Sequence, residues 1–167
     1  INNSFSGANY LPYSVGLLQA YVEKYSSCKE RFEFLRPVFK RTSVEEAVKQ
    51  LVPAEVIGFS LYVWNEQISL EIIRQLKRIN PNIYIVCGGP QVPDRAELFL
   101  RNNPEIDVAV HGEGERTFFK LLEIFPSRET NQISGISKIN ASGVFYSTPK
   151  ADRTKDLSTI PSPYLSE

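Results

Sequence analysis

The sequence predicts an α/β fold built on a parallel β-sheet. Near-continuous apolar runs, typical of strands covered on both faces, alternate along the chain with segments whose apolar residues recur at helical spacing. Strands and helices that alternate in this way pair in parallel through right-handed crossovers. A length of 167 residues is sufficient for one domain with a substantial hydrophobic core.

Five helices are predicted from apolar spacing and from residues that favour helix ends. Ser43 and Glu46 form a capping-box pattern, and Asn65 and Asp94 are of the types that commonly cap helix N-termini. The predicted helices cover residues 11–26, a short stretch after Ser43, a stretch from Asn65 to Ile79, residues 94–102, and a stretch after Glu115 that carries Phe118, Leu122 and Phe125.

Strands are predicted where apolar residues are continuous or alternate. Phe32, Phe34 and Phe39 indicate a strand over residues 31–38. Buried strands are predicted over residues 55–62, 83–87 and 106–110, and a C-terminal β-hairpin over residues 136–140 and 144–147.

The chain is predicted to divide into three parts. Residues 1–132 form the α/β domain and residues 133–148 form the hairpin extension. Residues 149–167, rich in Pro, Ser, Thr and charge, form a linker or a strap and no part of the core.

Composition excludes several classes of function. Lys plus Arg and Asp plus Glu both total 19, so the net charge of zero gives no electrostatic reason to expect nucleic acid or a membrane as partner. No apolar run approaches a transmembrane span. Cys28 and Cys87 are expected to be buried thiols in a reducing cytosol. Two cysteines do not suffice for an iron–sulfur centre of the usual kind, and the lack of methionine leads us to expect that something precedes Ile1.

Ligands of open α/β sheets bind beyond the carboxyl ends of the strands. Three predicted strand ends are unusual, and they lie at residues 60–65, 88–91 and 111–115. Paired glycines there allow a large planar ligand to approach the backbone, and the helices that follow offer free N–H groups. The three loops are therefore predicted to form a binding site at one edge of the sheet.

Five motifs carry a resemblance to a known family: LPYSVGLL at 11–18, GFS at 58–60, GGP at 88–90, GEGE at 112–115 and IPSPYL at 160–165. In this order they resemble the N-terminal domain of cobalamin-dependent radical S-adenosylmethionine (SAM) enzymes, which include methyltransferases and the anaerobic magnesium-protoporphyrin ester cyclase. The resemblance covers nearly the whole chain. It implies a flavodoxin-like (Rossmann-like) doubly wound sheet that binds cobalamin.

The resemblance also implies roles for single residues. Ser60 would meet the nucleotide tail of cobalamin, Gly88 and Gly89 would line the slot for that tail, and residues 112–115 would border the corrin ring. The cofactor-binding residues predicted from the loops and the resemblance together are Ser60, Tyr62, Trp64, Gly88, Gly89, Pro90, Gly112, Glu113 and Gly114. No residue is predicted to be catalytic or to bind a metal. A 4Fe–4S cluster and S-adenosylmethionine are expected only in a covalently linked radical SAM domain, into which residues 161–163 would lead.

Two departures from the family pattern matter. Many cobalamin domains carry Asp-x-His-x-x-Gly after the first strand, whose histidine binds cobalt, and residues 2–16 contain no histidine. Cobalt is therefore expected to have no ligand from this loop. The strand order 2-1-3-4-5 also requires a central first strand, of which Ile1-Asn2 is at most the tail.

Each candidate residue has an alternative role. His111 could bind cobalt, but a lone histidine at a strand end is usually a polar loop residue. Glu113 and Glu115 could be an acid–base pair, although a role at the helix start is favoured. Tyr62 and Trp64 could be ordinary core aromatics, and Tyr10 and Tyr13 could cover the cofactor or an interface.

The site as a whole has alternatives too. The glycine pair at 88–89 could form a ligand-free turn. The fold could also have lost cobalamin and act as an interaction or substrate-capping domain. A receiver or flavin-binding domain is disfavoured, because Asp94 and Asp107 do not supply the clustered aspartates of a receiver.

Overall fold

The computed structural model describes residues 13–164. Its helices are α1 (Tyr13–Tyr25), α2 (Val44–Leu51), α3 (Glu66–Ile79), α4 (Glu97–Asn102) and α5 (Gly114–Ile124), and its strands are β1 (Val56–Ser60), β2 (Tyr84–Gly88), β3 (Val108–Val110), β4 (Ile136–Ile139) and β5 (Phe145–Ser147). Short 3-10 turns cover Lys29–Arg31 and Leu157–Thr159. Among residues 13–164, the helices lack the length and hydrophobicity that a membrane span requires.

The strands form one mixed sheet with the order β1-β2-β3-β4-β5. β1, β2 and β3 pair in parallel, and the antiparallel hairpin of β4 and β5 continues the sheet beyond β3. The predicted α/β class and the C-terminal hairpin are confirmed.

Side chains alternate between the two faces of each strand, and helices cover both faces. The α3 face carries Ile57, Phe59, Ile85, Cys87 and Ala109, which pack in one core with residues of α2, α3 and α4. The opposite face, called the α5 face below, carries Tyr84, Val86, Val108 and Val110, which pack with Leu121 and Phe118 of α5. α1 lies beside α5, where the Tyr21 and Phe119 rings are 5.9 Å apart. Helices on both faces are the arrangement expected of a doubly wound sheet.

The strand predicted at residues 31–38 is wrong. After the 3-10 turn, residues 32–39 form no helix or strand, although exposed and half-buried side chains alternate at first. In the order 2-1-3-4-5 a strand here would pair only with the first strand, and an extended segment without a partner forms no ladder. Residues 1–12, where the tail of that first strand was predicted, lie outside the described residues.

The helix ends follow the predictions in part. The Ser43 side chain accepts a hydrogen bond from the Glu46 N–H (3.2 Å), as a cap should. Asp94 caps nothing, because α4 begins only at Glu97 and its N-cap is Ala96. The Asp94 carboxylate instead lies 3.2 Å from Lys150 Nζ.

The end of α5 also differs from the prediction. Phe125 does not extend the helix, and its backbone is already extended (φ −65°, ψ 137°). The proline at position 126 disfavours helical backbone at the residue before it, which accounts for the earlier end.

Residues 149–164, called the C-terminal strap below, lie against the domain. The Gly135 N–H donates to Pro149 O (2.7 Å), and Tyr25 Oη donates to Thr159 O (2.6 Å). At the N-terminal end of α1, a Cβ on Gly16 would lie 2.9 Å from Pro163 Cβ. This contact gives a packing reason for the glycine in the LPYSVGLL motif. The predicted boundaries at residues 132 and 148, and the role of the last segment as a linker, stay predictions.

Candidate functional site

The three predicted loops lie side by side at the carboxyl edge of the parallel strands. Ser60 at the end of β1 is in register with Gly88 at the end of β2, and the Leu61 N–H donates to Gly88 O (2.7 Å). Val86 is in register with Val108, which places the end of β3 beside Gly88. The expectation that the loops gather at one edge is confirmed.

A strip of small residues lies on the α5 face of this edge. Gly58, Ser60 and Gly88 all lie on this face, and we call the groove above them the slot. Gly58 is exposed and Ser60 half-buried, whereas all of β2 before Gly88 is buried. β1 is the edge strand of the described sheet, and its α5 face is covered less completely than that of β2. The α5 face of β1 is therefore open where a ligand could lie against the backbone.

The sides of the slot are apolar. A Cβ on Gly58 would lie 3.3 Å from Phe118 Cε2, so the Phe118 ring packs over Gly58 and closes one end. A Cβ on Gly88 would reach no atom closer than 3.8 Å, the distance to Val110 Cβ. The floor at Gly88 is thus not filled by a neighbouring side chain of a described residue.

The Gly89 backbone has a different role from that of Gly88. Gly89 has φ +98°, and a Cβ there would lie 2.6 Å from Leu61 O and 2.9 Å from Leu61 N. Gly89 is therefore required because the turn packs against the backbone after β1, which supports the turn alternative at this one position. Pro90, next to it, is exposed.

The loop after β1 presents two stacked aromatic rings to solvent. The Tyr62 and Trp64 rings lie 4.7 Å apart with 9° between their planes, and we call this pair the aromatic ledge. Trp64 is 45% exposed, so it is not a core aromatic. The neighbouring Asn65 is almost fully buried, and its side chain bonds Tyr62 N–H (2.8 Å) and Ser60 O (3.0 Å).

The loop after β3 is open at Gly112 and tied down at Glu113. Gly112 has φ +75°, and no atom lies within 4 Å of the position of a Cβ there. Glu113 is the N-cap residue of α5, yet its side chain makes no cap bond and accepts a hydrogen bond from the Thr154 N–H of the strap (2.8 Å). This bond lowers the pKa of Glu113, which does not suit a general acid near neutral pH.

The other two residues of this loop serve packing and the helix end. Gly114 would place a Cβ 3.7 Å from Leu18 Cδ2, an ordinary contact with α1. Glu115 lies in the first turn of α5, where its charge is favourable to the helix dipole.

His111 is held by the hairpin. Its Nε2 shares a hydrogen bond with Ser137 Oγ (2.8 Å), and Ser137 Oγ donates to Ser147 Oγ (3.1 Å). Ser137 is in register with Ala109, whose side chain is on the α3 face, so the imidazole bonds on the side away from the slot. Burial lowers the pKa of His111, opposed by the Asp94 charge. These contacts support the polar structural role.

The remaining candidates are not drawn into the slot. Within residues 13–164 no three His, Cys, Asp or Glu side chains are grouped to hold a metal ion. Cys87 lies in the core of the α3 face, where burial raises the pKa of its thiol, and Cys28 is half-buried. Tyr13 stacks on Tyr164 of the strap with ring centroids 5.9 Å apart, and Tyr10 lies outside the described residues.

Comparison with known proteins identifies the family. The family model described as "B12 binding domain" matches residues 15–122, which contain the sheet edge, the slot and the aromatic ledge. The chain belongs to the B12-binding domain family. Its fold class, with a mostly parallel sheet between helices, is that of the family's solved structures.

Two curated relatives are similar over nearly the whole chain. The cobalamin-dependent radical SAM methyltransferase TokK of Streptomyces tokunonensis is 35% identical over 166 aligned positions, which cover 96% of this chain and 24% of that protein. The 2-(S-pantetheinyl)-carbapenam-3-carboxylate methyltransferase of Streptantibioticus cattleyicolor is 34% identical over the same shares. This B12-binding domain thus spans about a quarter of the length of these relatives.

Solved structures share the fold at low sequence identity. The radical SAM enzyme OxsB with aqua-cobalamin bound has a TM-score of 0.71 at 20% identity, over 95% of this chain and 23% of that one. The methyltransferase TsrM of Kitasatospora setae, with cobalamin and a 4Fe–4S cluster bound, has a TM-score of 0.66 at 19% identity, over 96% of this chain and 30% of that one.

Small residues at the carboxyl edge leave room for a large planar ligand to approach the backbone. Glycine at position 58 leaves the backbone of β1 exposed, and the positions of a Cβ on Gly88 and on Gly112 are free of close neighbours. The slot and the loops beside it therefore offer a binding surface without rearrangement of the described backbone.

Sequence reasoning missed two contributors to this edge. Gly58 was quoted only as part of a motif, and Phe118 only as a helix residue. The spacing of two residues could have indicated the role of Gly58, since Gly58 and Ser60 lie on the same face of one strand. Nothing in the sequence indicates that Phe118 would pack over Gly58.

Proposed function

We propose that this B12-binding domain holds the nucleotide tail of cobalamin in the slot, with the corrin ring beyond the strand ends beside Gly112 and the aromatic ledge. The observation that carries the proposal is the strip of small residues on the α5 face, where Gly58 is exposed and Ser60 and Gly88 are half-buried, whereas β2 before Gly88 is buried. Small residues allow the flat tail to lie against the backbone, and the apolar sides at Phe118 and Val110 favour its aromatic base.

The residues have distinct tasks in this proposal. The Ser60 hydroxyl, half-buried at the end of β1, bonds a polar atom of the tail. Gly88 has no side chain that would fill the slot. Gly89 allows the turn to pack against Leu61 and affects the cofactor only through the position of that turn. Pro90, Glu113 and Gly114 border the site and fix its loops.

Cobalamin supplies the cobalt centre, which can carry a methyl group, and the domain supplies orientation and exclusion of water. His111 is the only histidine of the chain, and its Nε2 is bonded to Ser137 on the other side of the sheet. The lower face of cobalt is therefore expected to lack a histidine ligand from this domain.

The larger assembly is also a proposal. We infer that the strap leads into a radical SAM domain of the same polypeptide, which would hold a 4Fe–4S cluster and S-adenosylmethionine. The names of the TokK and carbapenam relatives and the quarter of their length that this domain spans support a methyltransferase. The balanced charge supports neither nucleic acid nor a membrane as partner, which is consistent with a cytoplasmic enzyme.

Titration with hydroxocobalamin, followed by its absorbance bands, tests the proposal. Gly88→Leu introduces a side chain whose Cβ has room and whose other atoms should occupy the slot. The variant should therefore weaken cobalamin binding by more than about tenfold, or ~1.4 kcal/mol. Ser142→Leu adds the same side chain at an exposed position of the hairpin turn and is the matched control.

The outcomes separate the two candidate functions. Binding by the wild type that is lost in Gly88→Leu and kept in Ser142→Leu supports the slot. Equal binding by both variants contradicts it. No binding by the folded wild type at micromolar concentration favours the second candidate, a domain of this fold that serves as an interaction or substrate-capping surface.

A further inference from the structure

We propose that Asn65 is a positioning residue that holds the slot and the aromatic ledge in one fixed arrangement for the corrinoid. The inference rests on the proposed function and assigns a role to a residue that itself need not touch the cofactor.

Asn65 is buried within an exposed loop. Its relative exposure is 1%, although the two residues before it, Val63 and Trp64, are 72% and 45% exposed. Burial of a polar side chain is unfavourable unless its hydrogen-bonding groups are satisfied. The position of Asn65 beneath the loop therefore indicates that its bonds determine the shape of the loop.

The amide of Asn65 bonds the backbone in two places. Oδ1 accepts a hydrogen bond from the Tyr62 N–H (2.8 Å), and Nδ2 donates one to Ser60 O (3.0 Å). A side-chain amide presents both an acceptor and a donor, whereas aspartate at neutral pH lacks the donor. One side chain thus ties the last residue of β1, which forms the slot, to the first residue of the ledge.

Asn65 makes these bonds in place of the usual one. It is the N-cap residue of α3, where asparagine commonly bonds an N–H of the first helical turn, yet its side chain makes no cap bond. The Tyr62 carbonyl closes the same loop from the other side, because it accepts hydrogen bonds from the N–H groups of Asn65 and Glu66, both at 3.0 Å. The Asn65 side chain therefore orders the loop and does not cap α3.

The ordered loop holds an aromatic surface in water. Tyr62 and Trp64 are stacked nearly parallel, and nearly half of the Trp64 surface is exposed. A preformed flat apolar surface next to the slot loses little freedom when it binds a large rigid ligand. Without the two side-chain bonds of Asn65, only backbone bonds such as those to Tyr62 O hold the loop, and we expect fewer molecules to present slot and ledge together.

Asn65→Ala should therefore weaken hydroxocobalamin binding by about tenfold if about a tenth of the molecules retain the competent loop. Trp64 is the only tryptophan of the chain, so its fluorescence reports on the ledge alone. In the absence of cobalamin, acrylamide should quench Trp64 more strongly in Asn65→Ala than in the wild type, and the fluorescence anisotropy should fall.

Asn65→Asp and Asn103→Ala complete the set. Asn65→Asp keeps the acceptor for the Tyr62 N–H and loses the donor to Ser60 O, and it should show an intermediate effect on both readouts. Asn103 is a second buried asparagine, whose Nδ2 donates to Phe99 O (2.9 Å) at the C-terminal end of α4. Asn103→Ala should lower the stability and leave both the quenching of Trp64 and the cobalamin affinity as in the wild type.

The possible results are distinguishable. Wild-type affinity and quenching in Asn65→Ala and Asn65→Asp would overturn the inference while the proposed function stands. Equal losses of affinity in Asn65→Ala and Asn103→Ala would overturn it as well, because the effect would then follow stability alone. A wild type that binds no hydroxocobalamin would contradict the proposed function and, with it, a positioning role for a corrinoid.

Discussion

Replacement of Gly89 by alanine should destabilise the domain far more than the same replacement at Gly112. Both glycines have positive φ, +98° and +75°, which costs a residue with a side chain about 1–2 kcal/mol. Their surroundings differ, since a Cβ on Gly89 would lie 2.6 Å from Leu61 O and 2.9 Å from Leu61 N, and a Cβ on Gly112 would meet nothing within 4 Å.

The crowding at Gly89 involves backbone atoms, so a rotamer change cannot relieve it. Moving the turn away would strain the bonds from Leu61 N–H to Gly88 O (2.7 Å) and from Gln91 N–H to Leu61 O (3.2 Å). With about 1 kcal/mol for each hydrogen bond and the backbone cost above, Gly89→Ala should lose about 3–4 kcal/mol of unfolding free energy. Gly112→Ala should lose only about 1 kcal/mol, because alanine also restricts the unfolded chain.

Urea unfolding, followed by circular dichroism and by the fluorescence of Trp64, measures both variants. On thermal unfolding, the Gly89 variant should melt roughly 10 °C below the wild type and the Gly112 variant only about 2–4 °C below it. Equal losses for the two variants, or a Gly89 variant as stable as the wild type, would refute the reasoning that packing against Leu61 fixes this glycine.

Two further predictions concern the strap and the half-buried His111. Gly16→Ala should release the strap, because the added Cβ would lie 2.9 Å from Pro163 Cβ, even though helix propensity favours alanine by about 1 kcal/mol. Limited proteolysis within residues 149–164 should become faster in this variant. An unchanged cleavage rate would count against the contact. Burial lowers the pKa of His111, so the folded state favours the neutral imidazole. The stability that the neutral imidazole contributes is complete above the ordinary pKa of about 6.5. This stability is lost as the pH falls through the lowered pKa. Urea unfolding between pH 7 and pH 5 should show this loss in the wild type and a smaller one in His111→Gln, and identical pH profiles would exclude the titration of His111 as the cause.

The sequence predicted those parts of the fold that depend on local patterns. The apolar runs that became β1, β2 and β3 are buried on at least one face, which makes them visible as continuous hydrophobic stretches. The hairpin turn at Ala141-Ser142-Gly143 could be predicted because it contains a glycine, and Gly143 has φ +76°, a conformation that glycine favours.

The errors lie where structure depends on distant partners. Phe32 and Phe34 have the alternation of a strand, but a strand needs a neighbour that local sequence does not specify. Asp94 has the chemistry of a helix cap, but the helix begins three residues later and the side chain lies near Lys150 of the strap instead.

The site shows the same division. Glycine motifs located the three loops, yet they did not separate Gly88, which leaves space in the slot, from Gly89, which packs on Leu61. That distinction depends on φ and on the approach of a second strand end. The bond from the Thr154 N–H to Glu113 joins residues 41 positions apart, and no spacing rule predicts it.

The most direct measurement is a crystal structure of the domain with hydroxocobalamin, in which the anomalous signal of cobalt locates the corrin. We expect cobalt beyond the ends of β1, β2 and β3, with the nucleotide tail on the α5 face against Ser60 and Gly88. A tail on the α3 face, or a corrinoid in the cleft lined by Leu100, Pro104 and Ile139 at the opposite edge of the sheet, would contradict it.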